Sequence, residues 1–153
     1  MSKVITFSKV FPSYHPRRGE PTFFVEKVIK SIGVGNYNVN MEAYNDVSPK
    51  HHTIRAGHRW KVGDKFSPRV WSGQPYASKQ ITFAPDIKIK KIWDFAMVGD
   101  TFFINRKELH NNEWEYIEAL VRNDGLTLND FCKWFNELSF DGQIICWNEN
   151  INY

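Results

Sequence analysis

The strongest constraint on the fold is a run of short, closely spaced strand signals between Lys50 and Asn105. Alternating or β-branched segments are broken by Ala56-Gly57, Gly63-Asp64, Ser72-Gly73-Gln74-Pro75 and Pro85-Asp86. Parallel neighbours need a crossover of about a dozen residues or more, usually a helix, and these gaps leave no room for one. Most pairing here must be antiparallel. His52-Thr53-Ile54-Arg55, Arg59–Val62, Lys65–Trp71, Gln80–Phe83, Ile87–Lys90, Ile92–Phe95 and Thr101–Asn105 are the candidate extended segments. Lys91 shifts the phase of the alternation, which predicts a bulge near Lys90–Lys91.

The flanks carry helix signals. Lys3–Phe11 alternates as an opening strand, and Pro12–Gly19 is rich in turn residues. Pro21 opens a helix with Phe24, Val25, Val28, Ile29 and Ile32 on one side and a stop at Gly33. Residues 33–49, with their glycines, asparagines and Ser48-Pro49, predict a long loop. Asn111–Val121 predicts a second helix. A third starts at Thr127, with Asp130 in capping-box position and Phe131, Trp134, Phe135 and Leu138 as its apolar face. Gly142–Trp147 reads as a buried strand. The order predicts a single α+β domain over residues 1–153, a small mixed or antiparallel barrel with flanking helices.

Composition narrows the class. The chain is 42% apolar, 24% charged and 16% aromatic, values that suit a globular core. No stretch approaches the roughly 18 apolar residues of a membrane span. The N-terminus lacks the apolar run and cleavage site of a secretory signal. Cys132 and Cys146 form no CxxC pair, so a reducing cytoplasm is the expected location; a monomer is assumed. The net charge of +3 hides an asymmetry. Residues 50–91 hold ten Lys/Arg against two Asp/Glu, and residues 92–153 hold four against eleven. A basic middle suggests an anionic partner such as RNA or a nucleotide; two solvated segments that pair across the surface would explain it equally.

The densest polar cluster is Lys50-His51-His52-Thr53-Ile54-Arg55-Ala56-Gly57-His58-Arg59. On a strand Thr53 and Arg55 share one face while His52 and Ile54 take the other. A hydroxyl beside a lysine of lowered pKa is a candidate nucleophile. An ordinary surface strand also accounts for this spacing. His51, His52 and His58 lack the nearby cysteines or paired carboxylates that complete a zinc set, so no metal is expected. Asp124, in Arg122-Asn123-Asp124-Gly125, is either a helix-ending turn residue or a carboxylate held at a cleft. Trp60, Trp71 and Trp93 read as core first and as stacking platforms second.

At these residues the chain resembles the ASCH domain family of the PUA-like superfamily. The elements are an opening Ile5-Thr6-Phe7 strand, Lys50-x-x-Thr53-Ile54-Arg55, Lys61-Val62-Gly63-Asp64, Asp124-Gly125-Leu126-Thr127-Leu128 and Gly142-Gln143. The resemblance implies a β-barrel with a cleft against its helices, and RNA binding. One small bacterial branch removes the acetyl group of N4-acetylcytidine with a Lys, a Thr and a Glu. By that likeness Lys50 is the base, Thr53 the nucleophile and Asp124 stands where the branch has Glu. The 33–49 loop is also longer than in that branch.

Two functions follow as expectations. One is RNA or modified-nucleoside binding in a basic cleft with amide hydrolysis by Lys50, Thr53 and Asp124, needing no cofactor. The other is a non-catalytic RNA-binding module; a ribonuclease using His51, His52 or His58, and a purely structural role, stand behind it. Arg55, His58, Arg59, Lys61, Lys65, Arg69 and Trp71 are the candidate substrate or RNA contacts, with Lys88, Lys90 and Lys91 continuing the basic strip.

Overall fold

The computed structural model describes residues 3–35 and 38–153. Met1 and Ser2 of the N-terminal stretch, and Asn36 and Tyr37 of the expected loop, lie outside the described residues. In chain order the elements are β1 (Lys3–Thr6), α1 (Phe24–Ile32), α2 (Met41–Asp46), β2 (His52–Ala56), β3 (Lys65–Trp71), β4 (Gln80–Thr82), β5 (Ile87–Lys88), β6 (Lys91–Val98), β7 (Thr101–Ile104), β8 (Lys107–Glu108), α3 (Trp114–Asn123), α4 (Leu128–Trp134) and β9 (Ser139–Cys146). They fall into two compact units, each built from two stretches of chain: Met1–Lys50 with Lys65–Lys88, and His51–Asp64 with Ile89–Tyr153.

The first unit is organised around β3. It pairs parallel with β1 on one side and antiparallel with β4 and then β5 on the other. Pro68 lies inside β3 and has no N–H to give the ladder. Its carbonyl accepts from the Phe83 N–H at 3.1 Å, and the neighbouring strand breaks there, between Thr82 and Ile87. Ile5, Phe7, Phe66, Val70, Phe83 and Ile87 are buried. The Phe7 ring packs on Phe66 at 6.5 Å and edge-on to Phe83 at 5.8 Å.

α1 starts at Phe24, three residues after the Pro21 signal. The Thr22 hydroxyl accepts from the Phe24 N–H at 3.2 Å and donates to the Ser8 carbonyl at 2.7 Å. Gly33 ends the helix in the left-handed conformation, φ 79°, where a Cβ would be strained. The expected 33–49 loop contains a helix, α2. Asn40 caps it by accepting from the Ala43 N–H, and Lys30 Nζ donates to the carbonyls of Tyr44, Asn45 and Val47 at its far end. α2 buries no residue, so it has no apolar stripe for a sequence reading to find. β1 stops at Thr6, short of Phe11; beyond it Phe7 N–H still donates to the Arg69 carbonyl at 2.8 Å, and an isolated bridge joins Val10 to Pro21.

The second unit is an antiparallel sheet in the order β2-β9-β6-β7-β8, with α3 and α4. β9 is flanked by β2 and β6, and its last five residues, Gly142–Cys146, are all buried, as expected of an interior strand. Phe95, Phe102, Phe131, Phe135 and Phe140 form one aromatic cluster, with ring separations of 4.8–6.3 Å. Thr127 caps α4, accepting from the Asp130 N–H at 3.2 Å. The helix ends at Trp134, so Leu138 leaves the expected apolar face and is 93% exposed. Arg59–Val62 is not a strand; both backbone polar groups of the buried Trp60 are held by the Gln143 side chain instead.

The phase shift at Lys91 is a change of sheet rather than a bulge. β5 pairs with β3, whereas Lys90 N–H already donates to the Cys146 carbonyl and β6 pairs with β9. The architecture is α+β, with two sheets of mostly antiparallel strands and four α-helices among the described residues; neither sheet closes on itself. Among those residues no helix is long and apolar enough to cross a membrane.

Candidate functional site

Side-chain alternation along β3 sorts the first unit's sheet into two faces. Phe66, Pro68 and Val70 point to the buried one. Lys65, Ser67, Arg69 and Trp71 share the other. Lys88 joins them, because β5 sets it directly opposite Lys65, and Thr82 and Gln80 stand opposite Arg69 and Trp71. Lys65 and Lys88 are exposed, and Arg69 and Trp71 half-buried. Arg69 is held against the sheet: Nε donates to Ser67 Oγ and Nη1 to Gln80 Oε1, both at 3.1 Å. Lys65 and Lys88 are like charges directly opposite each other, an arrangement that destabilises a sheet. Beyond Trp71 the hairpin loop brings Tyr76 against the tryptophan, ring centroids 5.2 Å apart.

Lys50, the last residue of that unit's first stretch, is only 2% exposed. Its N–H donates to the Lys27 carbonyl at 3.0 Å, and its ammonium lies 4.5 Å from the centre of the Phe24 ring.

In the second unit Thr53 and Asp124 are also buried, 4% and 6% exposed. Thr53 Oγ1 accepts from Arg55 Nε at 3.3 Å, as their shared face requires. Asp124 ends α3 and meets His52 instead: Oδ1 lies 3.3 Å from Nδ1. His52 leaves β2 on the face opposite Thr53. Its other nitrogen is 2.7 Å from the Tyr153 hydroxyl, which accepts from Asn123 Nδ2 at 2.9 Å. The donors and acceptors balance if His52 Nδ1–H donates to Asp124 and Tyr153 O–H donates to Nε2. Burial pushes the Tyr153 phenol well above its usual range. His51, on the neighbouring position, is lowered by burial and then by His52.

His58 forms a second cluster. Its Nε2 meets Asp141 Oδ2 at 3.0 Å and its Nδ1 meets Asp94 Oδ1 at 3.1 Å. The hydrogen bond to Asp141, followed by the contacts with Asp94, raises its pKa from 6.5. A cavity of about 160 Å³ lies here, lined by His58, Asp94, Phe95, Ala96, Arg106 and Asp141. Because the folded pKa is the higher one, the stability these bonds add is fully present below about 6.5 and is lost as pH rises through the folded value. An NMR titration should place the His58 midpoint above 6.5. Asp141→Asn should lower it more than Asp94→Asn; an unshifted midpoint would contradict the two bridges.

The remaining candidates are dispersed. Arg59 lies over the Trp60 ring at 4.9 Å. Lys61 is exposed, its N–H donating to Asp64 Oδ2. Lys91 is tied to the C-terminal segment by bonds to Ile151 and Asn152. The basic strip is therefore shared between the units: Lys65, Arg69 and Lys88 in one, Lys61, Lys90 and Lys91 in the other. Trp60 and Trp93 are core residues and Trp71 is the exception. Among the described residues no group of three His, Cys, Asp or Glu side chains is placed to hold a metal ion. Tyr76, Asp94, Asp141 and Tyr153 were not marked by any sequence signal, since each gains its partner only through folding. No family profile, curated protein or solved structure matches the chain.

Proposed function

We propose that this chain is a PUA-like, ASCH-type protein that binds single-stranded RNA across the polar face of β3. The observation that carries the reading is the convergence of Lys65, Lys88 and Arg69 on one sheet face that ends in Trp71. The two lysines are mobile point charges for phosphates. The pinned guanidinium of Arg69 offers a fixed donor, and the aromatic end accepts a base. Fluorescence anisotropy with a labelled single-stranded oligoribonucleotide tests it. Binding at about 50 mM salt that falls steeply by about 200 mM is the expected result, since phosphate contacts release counterions. Folded protein that leaves the RNA free at low salt would overturn the reading.

The Thr53–Arg55 pair supports a second reading. Arg55 Nε donates to Thr53 Oγ1 at 3.3 Å, which sets the hydroxyl beside a cation of the kind that stabilises an oxyanion. In this reading, carried by the family resemblance, the Thr53 hydroxyl attacks an N4-acetyl carbonyl and its proton passes to the departing amine. The amine of cytidine leaves, and water releases acetate from the threonyl ester. Conversion of N4-acetylcytidine to cytidine, followed by ultraviolet absorbance, should fall by about 100-fold or more in Thr53→Ala. Undiminished turnover in that variant would remove Thr53 as nucleophile.

A further inference from the structure

We infer that Trp71 and Tyr76 form a stacking platform that makes the β3 face select unpaired bases over duplex; the inference rests on the RNA-binding reading above. Tyr76 is the most revealing residue. It is 88% exposed, an unusual position for so large a ring. Its backbone is left-handed, φ 62°, a conformation that disfavours any residue with a Cβ. Strain of this kind persists only where the surroundings impose it, and it concentrates at binding sites.

The loop between β3 and β4 imposes it. Ser72 N–H donates to the Lys79 carbonyl at 2.8 Å and closes the loop. Ser78 Oγ accepts from Gly73 N–H at 3.0 Å and donates to the Gln74 carbonyl at 2.8 Å. Ala77 N–H also reaches the Gln74 carbonyl. Ordered on both sides, the loop holds the Tyr76 ring against Trp71 at 49° and leaves the rest of it in water. Trp71 shares its face with Arg69 and Lys65. One row on the sheet thus runs from cations to aromatics, as a strand with its phosphates on one side and bases splayed to the other requires. A duplex keeps its bases stacked on one another, so it could use the cations but not the rings.

Anisotropy titrations with labelled oligouridylate of about twelve nucleotides, its abasic counterpart and a duplex of equal length decide the matter. Tyr76→Ala should weaken oligouridylate binding about tenfold and duplex binding less than about twofold, with Tyr76→Phe close to native. The native protein should also bind the abasic strand about tenfold more weakly than oligouridylate. Because Tyr76 is exposed, its removal can be checked to leave the melting temperature nearly unchanged. If single strand, abasic strand and duplex bind alike, and Tyr76→Ala changes none of them, the platform is wrong while RNA binding stands. If none binds, the RNA reading itself has failed and the platform with it.

Discussion

Gly142→Ala should break the second unit's sheet. Gly142 lies in β9, opposite Ala56 of β2 and Phe95 of β6. A Cβ there would run into the carbonyl of Arg55 and come within 3.0 Å of the Phe140 ring. The obstacle is backbone, which cannot swing aside like a side chain. β2 would have to leave its register, carrying Thr53 and Arg55 with it. The expected cost is about 3 kcal/mol or more. For a chain of this length that lowers the melting temperature by about 10 °C. Gly73→Ala is the control: its Cβ would sit 3.6 Å from Ser78 Cβ, an ordinary contact, and should change stability by less than about 0.5 kcal/mol. Thermal unfolding of both variants checks this. Equal midpoints would contradict the β2–β9 approach.

Lys88→Glu should separate stability from binding. Lys65 and Lys88 face each other across β3 and β5. Exchanging one for an acid turns a repulsive cross-strand pair into an attractive one, worth about 0.5 kcal/mol in favour of the fold. On the RNA-binding reading the same change removes one phosphate contact and adds a repulsion. Lys65→Glu as well, which restores a like-charge pair and so removes the stability gain, should bring the fall in RNA affinity at low salt to about 100-fold. Unfolding and anisotropy measured on the same variants give the two readouts. A more stable protein that binds RNA as before would mean that this face is not the interface.

The elements that were legible in the sequence are those whose signals are local. Thr127 with Asp130 located the start of α4, Gly33 the end of α1, and the alternation over 65–71 all of β3. The local pattern misleads where a distant partner overrides it. Trp60 reads as strand but is held by Gln143 from far along the chain. α2 rests on a cap and on the reach of Lys30, with no apolar periodicity to announce it. The site divides in the same way. Thr53 and Arg55 share a face because a strand has period two. Asp124 with His52 and Tyr153, and His58 with Asp94 and Asp141, are meetings across the fold that no spacing encodes. Lys88 meets Lys65 through the register of β5.

The central claim is that the β3 face holds RNA by its phosphates. Its most direct test is the salt dependence of single-stranded RNA affinity in the native protein and in Lys65→Ala/Lys88→Ala. Each lost phosphate contact flattens the slope of log K against log salt by about 0.7, so the double variant should differ by about 1.4. An unchanged slope with unchanged affinity would contradict the claim.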